Sequence, residues 1–168
     1  MKRITLFSLL FLVSACSSTS PAQAPQREQA HGNWQVMVTN AGKSDMLCYA
    51  GATPAAREGT AEKRAAAAYL MVTRRQSGKI EVSASPGYTF MPGSKVELAI
   101  DDDSYSLFSK GSVAWARSDE DDRNIVESLM DAEDIEVRGL SQAGLTSVDH
   151  YPPQGFAGAI ARIRELCP

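Results

Sequence analysis

Val137-Arg138-Gly139-Leu140-Ser141-Gln142-Ala143-Gly144-Leu145-Thr146-Ser147-Val148-Asp149-His150-Tyr151, with Gly155-Phe156 and a run closing on Cys167 after it, is the stretch whose reading decides the fold. Ile135-Glu136-Val137-Arg138 alternates apolar and polar residues as a half-buried strand does. Gly139 and Gly144 bracket a turn, and Leu145 to His150 forms a second strand. Pro152-Pro153 then breaks the chain before a helix in which Phe156, Ala159, Ile160 and Ile163 share a face, with Arg162, Arg164 and Glu165 outside it. The helix ends on a cysteine, so the close of the chain carries a possible tie to its beginning.

Working back from there, the same alternation recurs. Trp34, Val36 and Val38 alternate with polar neighbours, and a second short strand around Met46 to Ala50 follows the turn at Asn40-Ala41-Gly42-Lys43. Residues 51–64 read as a loop or marginal helical turn, and Ala67 to Arg74 as a strand. Gln76-Ser77-Gly78-Lys79 turns the chain into Ile80 to Ala84. Pro86-Gly87 and Pro92-Gly93 isolate Tyr88-Thr89-Phe90; Val96, Leu98 and Ile100 then alternate, and the chain returns through Tyr105 to Phe108 and Val113 to Trp115. Ser118 caps a helix that opens on Asp119-Glu120-Asp121-Asp122 and carries an apolar stripe of Ile125, Val126, Leu129 and Met130. Short strands joined by turn chemistry predict a mainly β protein, an antiparallel β-sandwich or barrel-like sheet, with two short helices packed against it.

The front of the chain is of a different kind. Lys2-Arg3, an apolar run from Ile4 to Val13 and Ser14-Ala15-Cys16 make a secretory leader over 1–15, too short for a stable membrane span. Leu12-Val13-Ser14-Ala15-Cys16 has the form of a lipobox, which makes Cys16 the lipidated first residue of an outer membrane lipoprotein. The alternative is an ordinary leader with Cys16 incidental. Residues 16–31, rich in Ser, Pro, Ala and Gln, read as a flexible tether, and 32–168 as a single domain.

Three cysteines are odd for an exported chain until Cys16 is assigned to lipid. Cys48 and Cys167 then remain as an even pair, which an oxidising compartment favours as a disulfide over two buried thiols. The full chain has a net charge of −3, and the leader removes two of its basic residues. An acidic chain without a basic stripe is a poor nucleic-acid partner.

The residues carry little recognisable chemistry. The acidic runs at 101–103 and 119–122 lack the spaced oxygens and central glycine of a calcium loop, so no metal and no cofactor is expected. A serine hydrolase would have to use Ser141 or Ser147 with Asp149 and His150, but neighbours on a strand face opposite sides, and Gly139 to Gly144 is one residue too long for a nucleophile elbow. Trp34, Tyr69 and Trp115 lie in strands, where aromatic residues are usually core.

Gly32-Asn33-Trp34, Cys48-Tyr49-Ala50 with Pro54, Tyr69 to Arg74, Glu81-Val82-Ser83 with Gly87-Tyr88 and Phe90, Ala114-Trp115 and the closing stretch resemble, in that order, the invasion associated locus B family of bacterial envelope proteins. The resemblance implies a periplasmic or surface-exposed β-sandwich without catalytic residues, some relatives being linked to host-cell entry. This chain departs from it in its lipobox, in Ala143 where an arginine often precedes the glycine, and in Pro152-Pro153. The expected function is a non-catalytic, lipid-anchored envelope module for binding or structural support, facing the periplasm or the cell surface, with an unknown protein or envelope partner. The alternative is an envelope hydrolase using the Ser141/Asp149/His150 neighbourhood.

Overall fold

Alternation becomes strand almost wherever it occurs. The computed structural model describes residues 24–59 and 67–168. Its strands are β1 (Gln26–His31), β2 (Trp34–Thr39), β3 (Leu47–Ala52), β4 (Ala56–Gly59), β5 (Tyr69–Arg75), β6 (Ile80–Ser85), β7 (Val96–Ile100), β8 (Asp103–Lys110) and β9 (Val113–Trp115). Helix α1 (Asp119–Ser128) follows, then β10 (Ile135–Leu140), β11 (Thr146–His150) and α2 (Phe156–Leu166).

The strands form one antiparallel sheet of 11, in the order β1-β2-β3-β5-β6-β9-β8-β7-β10-β11-β4. β8 is the corner: Asp103 to Leu107 pair with β7, whereas Phe108 to Lys110 pair with β9. β3 stands third in the sheet and β4 last, yet only four residue steps separate Ala52 from Ala56, a reach of at most about 14 Å. The sheet is therefore curled until its far edge approaches its near end, and it does not close. One hydrophobic cluster fills the curl, taking in Val36, Leu70 and Val82 from one half and Leu98, Leu107 and Val137 from the other. The two edge strands are polar and exposed, a composition that discourages edge-to-edge pairing with other chains.

The helices sit where the sequence places them. Ser118 Oγ accepts from the Asp121 amide at 3.0 Å, and acidic side chains occupy the first turn of α1. Ile125, Val126 and Leu129 are buried as expected, but Met130 lies beyond the helix and is 37% exposed. α2 packs on β1, β2 and β3. Trp34 meets Phe156 edge to face with ring centroids 4.8 Å apart, and its indole N–H donates to the Pro152 carbonyl at 2.9 Å. The Pro152-Pro153 break is thus a docking segment.

Two readings differ from the observed chain. The strand β1 occupies the end of the stretch assigned to the tether, because the β1–β2 ladder, the ion pair Glu28–Arg162 and His31 against α2 hold it despite its polar composition. β4 replaces part of the expected loop or helical turn, its backbone pairing with β11 from Ala56 to Gly59. The leader 1–15, Cys16 and the start of the tether lie outside the described residues.

Gly139 shows how tight the junction between the halves is. A Cβ there would lie 2.7 Å from a ring carbon of Phe90 and 3.0 Å from the Tyr88 hydroxyl. Overpacking of this kind costs about 1–3 kcal/mol. Gly139→Ala is expected to lower stability by about 2 kcal/mol in urea unfolding.

Candidate functional site

The hydrolase neighbourhood is dispersed. Asp149 is fully buried and lies 3.9 Å from the Arg57 guanidinium, while His150 faces the other side of β11, against Glu58 at 3.3 Å and Glu136 at 3.4 Å. His150 pairs with Glu136 at one end of the β10–β11 ladder, and Ser141 follows its other end, about 17 Å along the strand. The Ser141 hydroxyl accepts from the Leu145 amide at 3.1 Å, and the Ser147 hydroxyl is joined to that of Tyr88 at 2.7 Å. These serines shape the turn and the junction; they do not meet the imidazole.

Cys48 and Cys167 are joined as a disulfide across 119 residues, with Cα atoms 6.1 Å apart. Both are fully buried. Arg74 Nε caps the end by donating to the Cys167 carbonyl at 2.6 Å. β3, β5 and the last turn of α2 are thereby fastened at one point.

The most distinctive open surface lies at the corner of the sheet. Leu107 and Phe108 are adjacent on β8, so they point to opposite faces, and Leu107 takes the core. Phe108 is 44% exposed and stacks on its ladder partner Trp115, with centroids 5.5 Å apart and planes at 25°. The two rings floor an open cleft of about 510 Å³ whose rim includes Lys79, Lys110, Arg117 and Asp119. Lys79 is paired with Asp119 at 3.0 Å, and Arg117 donates to the Ser106 carbonyl at 3.0 Å, so the rim is pre-organised by contacts within the chain. Trp and Arg are enriched at the centres of binding surfaces, and here Trp115, stacked with Phe108, lines the cleft with Arg117. Trp115 is thus half-buried rather than core, and the adjacency of Leu107 and Phe108 signals that one large apolar residue on β8 faces outward.

Asp122 stands at the inner wall of this cleft. It is buried, and its carboxylate accepts from the Val82 amide at 2.7 Å, completing the β6 edge just beyond its pairing with β9. Burial raises its pKa above the ordinary carboxylate value, with the Val82 hydrogen bond opposing. The folded chain therefore holds that proton more tightly than the unfolded chain. The resulting stability is present below the ordinary carboxylate range and is lost as pH rises through the raised value. Asp122→Asn keeps an acceptor for Val82 without the charge. It is expected to be at least as stable as the parent at pH 7, with a flatter profile as pH rises above the ordinary carboxylate range. Asp122→Ala orphans the amide and is expected to lose about 1–3 kcal/mol in the same melts.

The fold and crosslink together define a disulfide-fastened, curled antiparallel sheet with two packed helices. The fold is similar to that of the crystal structure of invasion associated protein B from Bartonella henselae, at a TM-score of 0.59 over 84% of this chain and 97% of that one. Sequence identity over the match is 14%, so the likeness is one of fold. It agrees in architecture with the resemblance read from the residues. No family model and no curated protein matches the sequence. Among the described residues, no helix is long and apolar enough to cross a membrane.

Proposed function

We propose that this chain is a non-catalytic module of the bacterial envelope, anchored by lipid at Cys16 and binding or bracing a partner through the Phe108–Trp115 face. The observation that carries the envelope assignment is the Cys48–Cys167 disulfide, since such crosslinks persist outside the reducing cytoplasm. The leader and lipobox support the anchor, and the tether gives the domain reach from the membrane. The exposed ring pair supports the binding role, because a well-supported aromatic patch beside charged groups gives a partner both apolar area and orientation. The partner is an envelope component or protein. The association of the Bartonella protein with invasion supports extending this to a host-cell surface if the domain faces outward.

The test is made in the native host. Membrane fractionation with and without globomycin reads the anchor, and protease shaving of whole cells reads the face. Processing blocked by globomycin supports the lipoprotein reading; a soluble, globomycin-insensitive chain contradicts it. Shaving sensitivity selects the cell surface, and resistance selects the periplasm. Crosslinking in the host with the parent and with Phe108→Ser then tests the binding face. Loss of a specific crosslinked adduct in a variant that melts within about 1 kcal/mol of the parent is the expected result. An adduct unchanged by Phe108→Ser removes the ring pair from the proposal.

A further inference from the structure

His150 stands between two carboxylates. Its Nδ1 lies 3.4 Å from Glu136 Oε1, and its Nε2 lies 3.3 Å from Glu58 Oε1. Neutral histidine has one N–H and one lone pair. A neutral ring between two carboxylates donates to one and turns its lone pair toward the other. Nε2 is sealed from solvent on the Glu58 side, which leaves Nδ1, on the Glu136 side, as the nitrogen open to an added ligand.

A third carboxylate joins on the Glu136 side. Asp134, Glu136 and His150 each offer a ligand atom, all within 4.8 Å of one another. Register assembles the group: Glu136 and His150 are direct ladder partners, Asp134 precedes Glu136 by two residues on the same side, and β4 lays Glu58 beside His150. The backbone of Asp134 is pinned, its amide donating to the Asp101 carboxylate at 2.8 Å and its carbonyl accepting from the Asp101 amide at 3.0 Å. Among the described residues the cation paired into the group is Arg138, which binds the other oxygen of Glu136 and is shared with Glu97. Three carboxylates against half a guanidinium leave the group short of positive charge, with Glu136 Oε1 still free of that guanidinium.

We propose that Asp134, Glu136 and His150 form a binding site for a divalent transition-metal ion such as Zn²⁺. The imidazole coordinates through Nδ1, and Glu58 accepts from Nε2–H. The carboxylate behind the ring fixes the tautomer, an outer partner that metal-bound histidines regularly have. An imidazole in the set favours zinc-like ions over Ca²⁺ or Mg²⁺, which prefer oxygen alone. Tetrahedral ligands about 2.1 Å from zinc sit about 3.4 Å apart, so from separations within 4.8 Å the side chains close by up to about 1.4 Å on binding, a movement open to the exposed Asp134. Three protein ligands leave a position for water. The ion joins β10 to β11 directly and holds the edge strand β4 through Glu58.

The experiment uses the full processed chain purified from its host and stripped with chelator. Zn²⁺ is titrated calorimetrically at pH 7.5, and the melting temperature is followed with and without the ion. The expected result is one equivalent bound, with a higher melting temperature, weakened at pH 5.5 as protons compete for the imidazole. His150→Ala abolishes the uptake and Asp134→Asn weakens it at least tenfold, while His31→Ala leaves it unchanged. Asp134 is exposed, so its variant keeps the test valid should His150→Ala fail to fold. No saturable uptake, uptake that survives both site variants, or Ca²⁺ bound as tightly as Zn²⁺ overturns the proposal.

Discussion

Replacing both Cys48 and Cys167 by serine is expected to lower unfolding free energy by about 4 kcal/mol and the melting temperature by roughly 10 °C. The bridge spans 119 residues, so the open chain gains the entropy of a very long loop when the bond is lost. Each serine hydroxyl would also stand in a fully buried site built for sulfur. The loss should fall first on α2, which is held at its end by the disulfide and by Arg74. Hydrogen exchange would show α2 amides opening earlier than those of β5 and β6. The parent in reductant should behave like the variant once the bond is cleaved. Equal stability of parent and variant in urea would show that the bridge is not what fastens the chain.

The second large effect lies at the other end of the same helix. Trp34→Ala is expected to cost about 4 kcal/mol, the range for deleting a fully buried large aromatic side chain. The indole fills the space between β2 and Phe156, and its N–H satisfies the Pro152 carbonyl, so the substitution opens a cavity and leaves an acceptor without its donor. Trp34→Phe keeps the ring contact and loses the hydrogen bond, with an expected cost of about 1–2 kcal/mol. Urea denaturation of both variants measures the difference. Against a usual domain stability of about 5–15 kcal/mol, the alanine variant sits near the edge of folding. Trp34 and the disulfide hold one helix, so their effects should not add.

Both anchors were readable from the residues, for reasons of chemistry. Alternation exposed β2, β6, β7 and the start of β10; Ser118 with its acidic turn located α1; the cysteine count joined Cys48 to Cys167. Each signal is local or combinatorial. β4 carries Ala-Arg-Glu-Gly, which has no apolar rhythm, and exists because β11 offers it a free edge. β1 is polar for the same reason and was read as tether.

The candidate sites were less legible because they are products of register. Glu58, Glu136 and His150 are spread over more than ninety residues of sequence, and only the β10–β11–β4 pairing brings them to one face. The Ser141/Asp149/His150 set fails by the same geometry: strand neighbours diverge, and the serine sits at the wrong end of the ladder. Phe108 and Trp115 were closer to recognition. Two large apolar neighbours on a strand packed on one face cannot both be core, and the pairing of Phe108 with Trp115 across β8 and β9 turns a single exposed ring into a platform.

The central claim, an anchored and crosslinked envelope module, is tested most directly by the intact mass of the chain extracted from its host membranes and alkylated without reduction. The account predicts loss of residues 1–15, acyl mass on Cys16, and no alkyl group on Cys48 or Cys167. An unlipidated chain, or one alkylated at either of those two cysteines, would contradict it.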